Sequence, residues 1–257
     1  NFNFIFNSFI LIFLSGLYPI TITVGSDPFD DYTTIQEGID AASNGDIVLV
    51  GDGTYTENLI IESEITLTSV GGHQTTIIDG SAGATGTMGS TVTIRPESNS
   101  PTIPQNIEIS GFEIKGGIGN SMNRIMEISG TPQTITERLG GGIMVYNTSP
   151  KINNNMIKNN GSSQTSNGGG MIAVDSAEDW SFNDREWELN PELPPATDPL
   201  DFSNNIFLDN EAILGNSVFI NGFNELTTDL SEGYYDVYSS EYESVSENWV
   251  ISNSEID

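Results

Sequence analysis

The triplet Gly140-Gly141-Gly142, followed by apolar Ile143-Met144-Val145, returns 28 residues later as Gly168-Gly169-Gly170 followed by Met171-Ile172-Ala173. After the first copy comes Lys151-Ile152-Asn153-Asn154-Asn155-Met156-Ile157-Lys158-Asn159-Asn160. After the second, delayed by an insertion, comes Phe202-Ser203-Asn204-Asn205-Ile206-Phe207-Leu208-Asp209-Asn210. Self-similarity at such a period marks a stacked architecture, in which a unit that cannot bury its own apolar face shares a core with its neighbours. The asparagine runs suit the turns of a stack, because Asn tolerates left-handed backbone and its amide can bond the next coil. Such amides are costly inside unless fully bonded.

The rest of the chain fits this reading. One segment has helical spacing: in Asp31 to Ala42, apolar Tyr32, Ile35, Ile39 and Ala42 recur at threes and fours. Thr33 or Thr34 caps its start, with Glu37 placed for a capping box, and Ser43-Asn44-Gly45 stops it. Short strands rich in Ile, Val and Thr follow, separated by Gly, Asn and Asp. They are expected at 46–50, 58–61, 65–69, 76–79, 91–94, 106–109, 112–114, 125–128, 142–146, 151–157, 171–174, 205–208, 217–220 and 248–251. No helices lie between them. Parallel pairing without crossover helices requires a solenoid.

Composition narrows the function. The 257 residues include 36 acidic and 7 basic side chains, a net charge of −29. Phosphate binding needs Lys and Arg, so nucleic acid is excluded as a partner, and an anionic membrane surface is disfavoured. The absence of Cys removes disulfides and thiolate chemistry. A single histidine, His73, excludes mechanisms that need two and reads as a turn residue. Residues 1–18 read as a secretory leader that has lost its basic start, and 19–257 as one solenoid domain cut short at its C-terminus, with no membrane span in the mature chain. The expected product is a monomer, secreted or at the cell surface.

Tyr32-Thr33-Thr34-Ile35-Gln36-Glu37-Gly38-Ile39-Asp40-Ala41-Ala42, Gly45 to Val50, Gly53-Thr54-Tyr55-Thr56-Glu57-Asn58, Ile65 to Ser69 and Thr76-Ile77-Ile78-Asp79-Gly80 follow one another in an order that resembles the opening of right-handed parallel β-helix proteins of the pectin-lyase-like superfamily. Asn106 to Ile114 resembles a further rung, and the resemblance covers residues 20 to 174. It implies an all-β, right-handed parallel β-helix solenoid with one N-terminal capping α-helix, export, and action on or binding to polysaccharide. The superfamily also holds non-enzymatic surface proteins, so fold leaves function open. The catalytic motifs of its pectin methylesterases, polygalacturonases and mannuronan epimerases are absent. Arg95-Pro96 matches only part of the Arg-x-Pro-x-x-Arg motif of pectate lyases. The basic residues Arg95, Lys115, Arg124, Arg138, Lys151, Lys158 and Arg185 read as surface cations balancing nearby acids.

The acidic half holds the candidate site. Residues 175–257 carry 20 acids and one base. Two stretches there break the strand rhythm, 175–201 and 225–247. Long loops on a solenoid form its usual binding face. Trp180 and Trp187, with Glu178 and Asp179, are the expected ligand-binding patch: rings stack on sugars and carboxylates bond hydroxyls. The alternative is that the two tryptophans pin the insertion to the coil as a small satellite core. Carboxylate richness suits Ca²⁺, the one cofactor considered, and Asp27-Pro28-Phe29-Asp30-Asp31 reads as helix N-terminal charge ahead of a ligand loop. Two functions remain. One is a non-catalytic surface module that binds or presents carbohydrate. The other is a Ca²⁺-dependent lyase or glycoside hydrolase, for which Glu108, Glu113 and Glu127 are strand carboxylates able to meet across rungs.

Overall fold

The computed structural model describes residues 18–83, 89–174, 181–182, 193–194, 196, 200–221, 226–227 and 237–239. Strand β1 (Thr21–Val24) leads into one helix, α1 (Ile35–Ala41). The first coil runs β2 (Ile47–Val50), β3 (Gly53–Tyr55), β4 (Leu59–Ile61), and the second β5 (Thr66–Ser69), β6 (Thr76–Asp79), β7 (Val92–Ile94). The third places β8 (Glu108–Ser110) and β9 (Glu113–Lys115), departs into β10 (Asn120–Ile128) and β11 (Thr131–Leu139), and returns at β12 (Ile143–Tyr146). The fourth is β13 (Lys151–Asn153), β14 (Met156–Lys158), β15 (Thr165–Asn167) and β16 (Met171–Val174). After β17 (Ser181–Phe182) come β18 (Leu200–Asp201), β19 (Ile206–Leu208) and β20 (Val218–Asn221), then β21 (Leu226–Thr227) and β22 (Val237–Ser239).

Apart from β10, β11, β15 and β17, each strand pairs in parallel with its counterpart one coil away. This yields a first sheet β1-β2-β5-β8-β13-β18-β21, a second β3-β6-β9-β14-β19 and a third β4-β7-β12-β16-β20-β22. Here a whole turn of the coil replaces the crossover helix, in the right-handed sense that parallel connections take. The protein is a right-handed parallel β-helix with a single helix at its N-terminal end, as the resemblance implied.

Register makes the core. Ile22, Val48, Leu67, Ile109 and Ile152 stand directly above one another on the first sheet, and Leu59, Val92, Ile143, Met171 and Val218 on the third. All are buried. Each such side chain contributes ~1.5–3 kcal/mol on leaving water. Helix α1 lays Ile35 and Ile39 on the same core.

The third sheet has a second apolar face. Outward Met144, Ile172 and Phe219 are stacked in register. With Met122, Leu139, Tyr146, Val174 and Phe182 they form a separate satellite core. The hairpin β10–β11 and strand β17, paired antiparallel to β10, cover this face. The Phe182 ring packs edge-on to Tyr146 at 5.1 Å and lies 4.8 Å from the Arg95 guanidinium carbon. Burial pushes the Tyr146 hydroxyl far above its ordinary range.

The corners explain the asparagines. Asn154 and Asn204 have positive φ and each precedes a buried Asn. The Asn155 carboxamide accepts from Phe112 N at 3.0 Å and donates to Ile109 O and Asn205 Oδ1, both at 3.1 Å. Asn205 donates onward to Ile152 O at 2.8 Å. A second ladder, Asn160 on Asn210, repeats this one strand later, after Asn159 and Asp209 of positive φ. The glycine triplets stack as well: Gly141 N donates to Gly168 O at 2.9 Å and Gly169 N to Gly215 O at 3.1 Å. A Cβ on Gly141 would strike the Gly169 carbonyl and the Gly161 amide.

Thr34 is the N-cap and accepts from Glu37 N, as expected, so the helix starts at Ile35. Three local expectations change. The first amides of the helix, Ile35 N and Gln36 N, donate to Glu57 at 2.9 and 3.0 Å. The expected helix-end charge therefore comes from Glu57, while Asp27, Asp30 and Asp31 accept from amides and a hydroxyl of their own turn and β1. The segment 151–157 is two strands, because Asn154 breaks extended backbone between them. The strand expected at 125–128 is the distal part of the long antiparallel hairpin. The expected leader at 1–18, except for its last residue, the strand at 248–251 and most of the stretch 225–247 lie outside the described residues.

Candidate functional site

Every coil must return from the third sheet to the first, and these connections differ greatly in length. Between the second and third coils the chain takes residues 95–107, and between the fourth and fifth it takes 175–199. Between them the third coil crosses in only Asn147-Thr148-Ser149-Pro150. A short turn flanked by two long loops leaves a trench, with the short turn as its floor. The trench holds two adjoining cavities of 480 and 570 Å³ that share Gln105 and Ser149.

Three consecutive residues build it. Asn147, with φ 47° and 1% exposed, accepts from Ala196 N at 3.1 Å and donates to Pro194 O at 3.4 Å, holding the wall formed by the late insertion. The buried Thr148 hydroxyl donates to Pro104 O at 2.9 Å and holds the opposite wall. Ser149 lines the floor of both cavities. The early wall is also tied below, where Gln105 N donates to Glu64 at 3.0 Å. Pro101, Ile103, Pro104, Leu193 and Pro194 make the walls largely apolar. Thr66, Asn106, Glu108 and Lys151 make the far end polar.

The charged groups along the trench are engaged by the protein itself. Glu108 lies 3.6 Å from Lys151 and accepts from Asn153 Nδ2 at 3.2 Å. The same pairing recurs elsewhere: Lys158 lies 2.9 Å and Lys115 4.0 Å from Glu113, Lys115 3.7 Å from Asp79, Arg124 3.7 Å from Glu137, and Arg95 2.8 Å from Glu62. The expectation of cations balancing nearby acids holds for these residues. Arg95 departs from it in being buried rather than on the surface, because Phe182 covers it. For Asp79, burial acts to raise the pKa, but hydrogen bonds from Ser81 and the charge of Lys115 outweigh it, so the carboxyl stays below its ordinary range. Asp79 therefore suits an ion-pair partner, not a proton donor, which needs a raised pKa.

Two of the strand carboxylates named for the enzyme reading, Glu108 and Glu113, fall on different sheets. Glu108 lies on the first sheet and Glu113 on the second, because the bend at Gly111 and Phe112 separates β8 from β9, and residue 127 lies on the hairpin. Among the described residues no group of three His, Asp or Glu side chains is placed to hold a metal ion. His73 sits in a turn, as expected. Trp180, Trp187, Glu178 and Asp179 lie outside the described residues; what is described of their insertion is Phe182 in the satellite core and Pro194 and Ala196 on Asn147. The trench residues escaped the sequence reading. The signal available was the four-residue turn at 147–150 between two much longer returns, visible only once strands are aligned coil by coil.

No family model matches the chain. A cell surface glycoprotein of Methanothermus fervidus is 32% identical over 140 residues. That match takes in 53% of this chain, which spans 21% of the length of that relative. Among solved structures, pectin methylesterase from Aspergillus niger aligns over 92% of this chain and 91% of its own, in a penultimately deglycosylated form (13% identity, TM-score 0.34) and a deglycosylated form (14% identity, TM-score 0.33). The β-helix assignment itself stands on the strand pairing described above.

Proposed function

We propose that this chain is a non-catalytic β-helix module of a cell-surface protein, and that the trench over Asn147-Thr148-Ser149 binds a neutral carbohydrate chain. The observation that carries this reading is the engagement of the trench's charged side chains: Glu64 accepts from Gln105 N, and Glu108 pairs with Lys151 and accepts from Asn153. What remains toward solvent is an apolar wall rich in proline beside hydroxyl and amide groups, the mixture that sugar rings and hydroxyls favour. A net charge of −29 repels anionic polysaccharide. The name of the Methanothermus fervidus relative supports a surface location. Trp180 and Trp187, on the insertion that supplies one wall, are the proposed stacking rings, with Glu178 and Asp179 as acceptors.

The test is a glycan array probed with the full chain, alongside lyase and reducing-sugar assays with and without Ca²⁺. Retention on neutral glycans that Ser149→Trp abolishes, with no turnover, is the expected result. Turnover of any polysaccharide would replace this reading with the enzymatic one.

A further inference from the structure

The sequence contains two Asn-x-Ser/Thr sequons, Asn147-Thr148-Ser149 and Asn160-Gly161-Ser162. Such sequons accept N-linked glycan when they lie on a surface loop. Neither does here. Asn147 and Asn160 are each 1% exposed. Both amide hydrogens of Asn160 are committed, to Ile114 O at 2.9 Å and Asn210 Oδ1 at 3.1 Å, and its oxygen accepts from Gly117 N at 3.2 Å. Asn147 joins the trench floor to Pro194 and Ala196.

We infer that both sequons are structural and closed to N-glycosylation, and that a glycan on either asparagine and the native coil stack are mutually exclusive. Transfer joins Nδ2 to the anomeric carbon of a lipid-linked oligosaccharide donor, with loss of one amide proton and departure of the donor's phosphate leaving group. At Asn160 that removes a hydrogen bond between coils and forces a sugar between them. At Asn147 it pushes the insertion off the trench. The reaction is therefore confined to chains whose third to fifth coils have not closed. Folding and glycosylation compete for the same two amides, and the folded chain carries no glycan on either.

The test is expression of the full chain in an N-glycosylating secretory host, with intact-mass and glycopeptide analysis of the folded and aggregated fractions. The sequon variants Ser149→Ala and Ser162→Ala, which keep both asparagines, are carried alongside. The folded fraction is expected to be free of glycan at both sites, any occupied chain appearing only in the aggregate. A folded fraction with glycan on Asn147 or Asn160 and an unchanged melting temperature would overturn the inference. A second measurement is independent of the host: side-chain amide exchange by NMR. At least a hundredfold slowing of Asn160 Nδ2–H relative to an exposed asparagine is expected. Exchange at the exposed rate would likewise overturn it.

Discussion

At the corner between the first and second sheets, the third, fourth and fifth coils turn alike. Gly111, Asn154 and Asn204 all take positive φ, and the residues after the two asparagines form a hydrogen-bonded amide ladder through the stack. At the corner between the third and first sheets the connections range from four residues, at 62–65 and 147–150, to the much longer 95–107 and 175–199. The contrast shows how a solenoid divides labour. A corner whose backbone polar groups are satisfied by the coils above and below must repeat its geometry. A corner that faces water is free to grow, and here its unequal loops produce a concave surface.

The comparison can be broken most severely from the repeating side. Gly141→Ala puts a methyl group against the Gly169 carbonyl and the Gly161 amide, backbone atoms that cannot rotate away. A loss of about 3 kcal/mol or more is expected, read as a lower denaturant midpoint. Asn155→Ala leaves Phe112 N and Ile109 O buried without their partner. About 3 kcal/mol is expected from two such groups; a loss below a third of that would show the ladder to be dispensable. On the variable corner, Thr148→Val keeps shape and removes the bond to Pro104 O. Stability should fall by only ~1 kcal/mol, while hydrogen exchange accelerates selectively in residues 99–105. Unchanged exchange there would mean that the wall does not depend on Thr148.

Two smaller effects concern charge. The depressed pKa of Asp79 gives a stabilising contribution that is present above the ordinary carboxyl value of 3.8 and is lost as pH falls through the lower folded value. Asp79→Asn should flatten the acid limb of the stability curve below pH ~4; an unaltered limb would refute the assignment. Lys151→Met removes an ion pair whose lysine is 52% exposed. A change within ~0.5 kcal/mol is expected by urea titration.

Much of this was legible in residue order. Gly140 to Val145 and its echo at Gly168 to Ala173 do form adjacent strands of one sheet, in register from Ile143 on Met171. The asparagine runs do sit at left-handed turns and bond the neighbouring coil. A satellite core is present with Phe182 of the insertion in it, while Trp180 and Trp187, the rings expected to form one, lie outside the described residues. The hairpin at 120–139 was not legible, because the apolar face it covers is assembled from Met144, Ile172 and Phe219, which lie on three different coils.

The sequence by itself determined the coil: its period, its apolar lining and the residues allowed at tight corners. Those depend on local backbone preference and on alternation within a few residues, both written in order along the chain. Only the tertiary structure decided where a ligand could sit. The trench exists because loops from different coils are brought to one corner, and because Asn147 and Thr148 bond to residues more than forty positions away. Such contacts are set by stacking register, a property of the whole solenoid that no single segment encodes.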